Sequence, residues 1–133
     1  MDFLETKVLV IEDQEMIRDI VVSTLRAIGF RRIRTAGDGQ AGLRAVMDDR
    51  PEIILCDITM DRMDGFQFVE AMLRAGYSGE KRIPTVFLTA HATAEFVARA
   101  KQLQIDSYVI KPVKKDVLEA RIKHVLSHRP VSA

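Results

Sequence analysis

Short, continuously apolar runs punctuate the chain, and they constrain its fold more than any other feature. Val8-Leu9-Val10-Ile11 and Ile53-Ile54-Leu55-Cys56 are the clearest. A strand that is apolar at every position has both faces buried, as in a parallel sheet covered by helices on either side. Helical patterns fill the intervals. Glu15 to Ile28 carries Met16, Ile17, Ile20, Val21 and Leu25 on one stripe, with Gly29 placed to end the helix.

The same reading predicts a weaker strand at Ile33 to Ala36, a short helix at Gln40 to Met47 and a helix at Gly65 to Ala75. Thr85 to Leu88 follows as strand, Ala94 to Leu103 as helix, Ser107 to Ile110 as the last strand and Lys114 to Ser127 as the last helix. Strand and helix therefore alternate five times, which predicts an α/β fold with a parallel sheet and helices on both faces. One domain is expected in 133 residues, because a single hydrophobic core serves roughly 100 to 150. The 47% hydrophobic and 29% charged content suits a packed core rather than a disordered chain.

Cys56 is the only cysteine, so no intramolecular disulfide can form, and its apolar strand places it in the core. Met1 to Lys7 lacks the basic and apolar stretches of a secretory signal, and no apolar run approaches the roughly 20 residues that span a bilayer. The expectation is a cytoplasmic protein with no membrane association. Charge is uneven: residues 1–100 hold 13 basic and 16 acidic side chains, residues 101–133 hold 7 and 3. Solvated helix faces explain this most simply; a docking face for an acidic partner is the alternative. Arg31-Arg32-Ile33-Arg34 comes without a helix-turn-helix or interleaved aromatics, so no direct nucleic-acid contact is expected. His124 and His128 are four apart, but no glutamate adjoins His124, and two histidines near a helix C-terminus suit its dipole.

In open parallel sheets, ligands gather beyond the carboxyl ends of the strands. Those positions hold Glu12-Asp13, Asp57, Thr89 and Lys111-Pro112. Converging carboxylates repel and raise one another's pKa, so such a cluster calls for a cation. Hard oxygen donors with room for water suit Mg²⁺, often shared with a phosphate. Asp57 could then act as a nucleophile, with Lys111 neutralising the transferred group and Thr89 hydrogen-bonding one of its oxygens. Taken singly, each residue admits a plainer role: Asp13 as cap of the first helix, Thr89 as start of a turn, Lys111 as a solvated lysine, Asp57 as a turn aspartate. Together, four strand ends bearing complementary groups point to a phosphoryl site.

With those residues in place, the chain resembles the receiver domain of two-component response regulators, similar to the single-domain chemotaxis type, from about Lys7 to Ser127. The resemblance rests on Glu12-Asp13, on Cys56-Asp57-Ile58-Thr59-Met60, on Met63-Asp64-Gly65, on Thr89-Ala90 and on Tyr108-Val109-Ile110-Lys111-Pro112. It implies a flavodoxin-like, doubly wound, five-stranded parallel sheet in the order 2-1-3-4-5, the order the chemotaxis relative is known for. Residues 1–133 would form a single receiver domain with its core at about 7–127. Asp57 looks like the phosphoacceptor. Asp13, Asp57 and the backbone carbonyl of Thr59 look like direct Mg²⁺ ligands, and Glu12 like a ligand through water. Lys111 is similar to the lysine that pairs with the phosphoryl group, Thr89 to the hydroxyl that moves towards it, and Tyr108 to the switch aromatic. The Lys111-Pro112 bond is implied to be cis. Asp61 stands where a proline is usual, and Thr59 and His91 occupy the positions that tune water access in the family.

The implied partners are a sensor histidine kinase or histidine phosphotransfer protein and a downstream protein target, with the protein a monomer or a phosphorylation-dependent dimer. Its only catalysis would be its own phosphoryl transfer and dephosphorylation. An aspartate-nucleophile phosphatase wants Asp-x-Asp, and Thr59 stands at the second position. A flavin-binding protein of this fold needs a phosphate loop after the first strand, where Glu12-Asp13-Gln14-Glu15 would repel phosphate. The chain could also be the receiver part of a longer regulator, although Arg129 to Ala133 shows no linker.

Overall fold

A computed structural model describes residues 2–127. Five strands, β1 (Lys7–Ile11), β2 (Arg32–Ala36), β3 (Ile53–Asp57), β4 (Thr85–Thr89) and β5 (Ser107–Ile110), pair in parallel in the order β2-β1-β3-β4-β5. Between and after them come α1 (Glu15–Ile28), α2 (Gly39–Asp48), α3 (Gly65–Arg74), α4 (Ala94–Gln102) and α5 (Lys115–Ser127). The parallel sheet is the one expected from the alternation, and its flavodoxin-like strand order is the one the family resemblance implies. The predicted element boundaries hold to within a residue or so at each end. A short 3₁₀ turn at Gly79–Lys81, absent from the sequence expectation, lies between α3 and β4.

The apolar runs do what their composition requires. β3 and β4 are buried at every position and β1 at all but Lys7, because helices cover both faces. β2 is largely exposed, as an edge strand can be. Val21 and Leu25 of α1 and Leu118, Ile122 and Val125 of α5 pack on one face, with Phe3 stacked on Phe30 at its lower end. Residues of α2, α3 and α4, including Val46, Phe68, Met72 and Phe96, pack on the other.

One expected core stripe needs correction. Met16 and Ile20 are exposed, at 77% and 52%, while Val21 and Leu25 of the same helix are fully buried. The packed stripe of α1 is the narrower one through Ile17, Val21, Leu25 and Ile28, and Met16 and Ile20 sit on its flank. Cys56 is buried in the core as expected. His124 is an exposed residue of α5; His128 and the tail from Arg129 lie outside the described residues. No described helix is long and apolar enough to cross a membrane.

Two glycines are required by their surroundings. Gly29 ends α1 at φ 126°, where a side chain would be strained, and its N–H closes the helix onto Leu25 and Arg26 carbonyls. Gly65 starts α3 so near β3 that a Cβ would stand 2.8 Å from the Asp57 carbonyl oxygen. Asp64 and Gln67 then fix that helix start with a reciprocal capping box. The loop before it turns through Arg62 at φ 69°.

Candidate functional site

The parallel register brings the carboxyl ends of β1, β3, β4 and β5 to one edge. Glu12 and Asp13 follow β1, Asp57 ends β3, Thr89 ends β4 and Lys111 follows β5. Lys111 Nζ donates to Asp57 Oδ1 at 2.9 Å and to Glu12 Oε1 at 3.1 Å, so one ammonium serves two buried carboxylates. The Lys111 N–H also donates to the Thr89 carbonyl at 2.7 Å, and the following Lys111-Pro112 bond is cis. Ligand oxygens from Glu12, Asp13 and Asp57 all lie within 4.8 Å of one another.

Asp13 does not play its plainer part. The N-cap of α1 is Gln14, with no side-chain cap bond. Instead Asp13 Oδ1 is buried and has no hydrogen-bond partner among the described residues. That one oxygen is out of water and unpaired while the rest of the side chain is open to solvent, an arrangement that a cation would satisfy. The donor set is all oxygen and partly open to water, which fits Mg²⁺ better than a softer metal.

Electrostatics follow from burial. Desolvation first, and the charge of Asp57 second, push the Glu12 carboxyl up from 4.5 to about 7, against the pull of the Gln14 N–H and Lys111. Burial pulls the Lys111 ammonium down, yet its bonds and charge pairing with Asp57 and then Glu12 outweigh this and leave its pKa raised. Burial, followed by the charges of Asp57 and Glu12, holds the Cys56 thiol well above its usual range, so it is no nucleophile.

Two expected residues make their contacts outside the cluster. The Thr89 hydroxyl donates to the His91 carbonyl at 2.9 Å and accepts from the His91 N–H at 3.3 Å, so it holds the start of the β4–α4 loop rather than Asp57. The Tyr108 ring is half-buried and meets Phe96 edge-on at 5.2 Å. Thr59 is exposed in the loop between β3 and α3, and His91 is exposed after Thr89. Sequence reasoning missed the direct Glu12–Lys111 bond and the Arg18 guanidinium, which donates to the Glu12 carbonyl at 3.0 Å from one turn into α1. Neither has a local signature, since both depend on how the loops return.

Against this geometry, the family described as the response regulator receiver domain matches residues 8–123. The chain belongs to the receiver family of two-component signalling. It is 30% identical over 119 residues to a probable chemotaxis protein CheY of Rhizobium etli, covering 90% of this chain and 91% of that protein. It is 34% identical to the transcriptional regulatory protein AfsQ1 of Streptomyces coelicolor, covering 89% of this chain but 50% of AfsQ1. This receiver therefore spans about half the length of its transcriptional relatives. Among solved structures it is similar to the chemotaxis protein CheY4 of Vibrio cholerae, with TM-score 0.81 and 30% identity over 90% of this chain and 98% of that one. Receivers are signalling modules, and the acidic cluster here is one that could hold their divalent metal.

Proposed function

We propose that this receiver is a phosphorylation-driven switch whose Asp57 accepts a phosphoryl group from a sensor histidine kinase or histidine phosphotransfer protein. The observation that carries this reading is the shared ammonium: Lys111 joins the buried Asp57 to Glu12, beside the unpaired Asp13 oxygen. An Asp57 carboxylate oxygen attacks phosphorus, forming an O–P bond as the P–N bond of the donor phosphohistidine breaks. The electron pair leaves with the imidazole, which takes up a proton from solvent. Asp57 becomes a mixed anhydride without redox change.

Each neighbour has a part. Lys111 transfers its pairing from Asp57 Oδ1 to a phosphoryl oxygen, which keeps the new negative charge compensated. Thr89 gives up its bonds to His91 and turns its hydroxyl to another phosphoryl oxygen. Asp13, Asp57 and the Thr59 carbonyl would hold Mg²⁺, with Glu12 acting through water. Bound there, the ion supplies counter-charge for the phosphoryl oxygens. The output is a changed surface over α4, β5 and α5, presented to a downstream protein or a second copy.

Labelled acetyl phosphate tests the reading. With Mg²⁺ the protein is expected to take up label that hydroxylamine releases, as an acyl phosphate must. No uptake, or hydroxylamine-resistant label, would overturn it.

A further inference from the structure

Aromatic rings run without a gap from α3 to β5. Phe66, next to Gly65, meets Phe87 of β4 edge-on at 5.1 Å and Phe96 of α4 at 5.6 Å. Phe96 in turn takes the Tyr108 ring at 5.2 Å and 89°. The near end is fixed to the Asp57 loop, because the Gly65 N–H donates to the Ile58 carbonyl at 2.9 Å and Gly65 lies so close to that backbone that a Cβ would stand 2.8 Å from the Asp57 carbonyl oxygen. Over Phe66 lies Arg99 of α4, its guanidinium 4.5 Å from the ring centre and 3.4 Å from Glu70 of α3. Phe66 and Glu70 are one turn apart, so a single α4 side chain grips α3 twice.

Beside this grip is an open cleft of about 320 Å³, whose lining includes Thr59, Thr89, His91, Phe96 and Arg99. It leaves the first turn of α4 space to move. Tightly packed rings do not deform continuously, so a displacement of Phe66 has to be answered by Phe96 and then by Tyr108.

We propose that Arg99 is a positioning residue that clamps α4 onto α3, and that Phe66 and Phe96 couple the Asp57 loop to Tyr108 by a route that bypasses Thr89. The functional meaning rests on the phosphoryl-switch reading above. The clamp is made in the arrangement in which Thr89 bonds to His91, and a movement of α4 away from α3 would break it, so it favours the resting state. A cation over an aromatic face together with a half-exposed ion pair is worth about a 2- to 5-fold bias between two arrangements.

Tyrosine ring-labelled NMR on the full chain tests this, since the chain has only Tyr77 and Tyr108 and a Tyr77→Phe variant assigns the signals. Arg99→Ala is expected to displace the resting Tyr108 signal towards its position in Mg²⁺ and beryllofluoride, a phosphoryl mimic. It should also tighten apparent beryllofluoride affinity by about 2- to 5-fold, because a larger fraction is already competent. Arg99→Lys keeps a cation over Phe66 and should stay close to wild type. The resting displacement should persist when Arg99→Ala is placed on Thr89→Ala. An unmoved Tyr108 signal with unchanged affinity, or a displacement that vanishes without Thr89, would overturn the proposal. The resting displacement is read with no phosphoryl group or mimic present, so it stands or falls separately from phosphoryl uptake.

Discussion

Lys111 reaches Asp57 across 2.9 Å although 54 positions separate them, and the same ammonium reaches Glu12 at 3.1 Å. One cation thus faces two carboxylates that are almost wholly out of water, with 0% and 4% exposure for Glu12 and Asp57. That imbalance of charge governs most of what the site should do when perturbed.

Removing the cation leaves both carboxylates uncompensated. Breaking a fully buried pair costs about 3 to 5 kcal/mol; here Glu12 can take up a proton, so Lys111→Ala is expected to cost about 1 to 3 kcal/mol. Urea unfolding at pH 8 in the presence of a chelator measures this. Stability equal to wild type would show that Lys111 does not hold the two acids.

Glu12 makes metal-free stability depend on pH in a defined direction. Its folded value of about 7 lies above the unfolded 4.5. A raised folded pKa contributes stability that is complete below the unfolded value and lost as pH rises through the folded one. The full shift corresponds to about 3 kcal/mol. In chelator, wild type should therefore lose stability relative to Glu12→Gln between about pH 4.5 and 7. Denaturant midpoints that run parallel for the two proteins across that range would contradict the shift.

Asp13, with its unpaired buried oxygen, should have opposite effects with and without metal. Asp13→Asn removes a ligand charge and is expected to weaken Mg²⁺ binding by about tenfold or more, while relief of repulsion raises the melting temperature of the metal-free protein. Calorimetric titration and thermal unfolding report the two effects. Wild-type Mg²⁺ affinity in the variant would place the ion elsewhere.

Phosphorylation should be read out over α4, β5 and α5. Tyr108 is the half-buried ring between the site and that surface, which also carries Lys101, Lys114, Lys115, Arg121 and Lys123. Tyr108→Ala is expected to keep phosphoryl uptake within about 3-fold of wild type while uncoupling it from partner binding or dimerisation, since the ring biases two states rather than touching phosphorus. Hydrogen exchange with beryllofluoride should change most in residues 89–127; changes concentrated in α1 and α2 would refute this output surface.

Much of this was legible in the sequence, for physical reasons. Val8 to Ile11 and Ile53 to Cys56 announce doubly buried strands because no polar residue interrupts them, and strands of that kind deliver their last residues to one edge. Hence the sequence alone places Glu12, Asp13, Asp57 and Lys111 together. The orientation of hydroxyls and rings was not legible. Thr89 faces His91 rather than Asp57, which depends on a loop conformation that no periodicity encodes. Met16 and Ile20 fit the helical spacing yet lie exposed, because spacing defines a stripe but not how wide a stripe the sheet covers. Arg99 over Phe66 and Arg18 on the Glu12 carbonyl join separate elements and leave no trace in spacing.

The central claim is that Asp57 takes the phosphoryl group, and intact mass after incubation with acetyl phosphate and Mg²⁺ tests it most directly. Wild type is expected to gain the mass of one phosphoryl group and Asp57→Asn to gain none, with the Asn variant shown to be folded by its unfolding transition. Equal gain in the two proteins would contradict the account, because the phosphoryl group would then be carried by another residue.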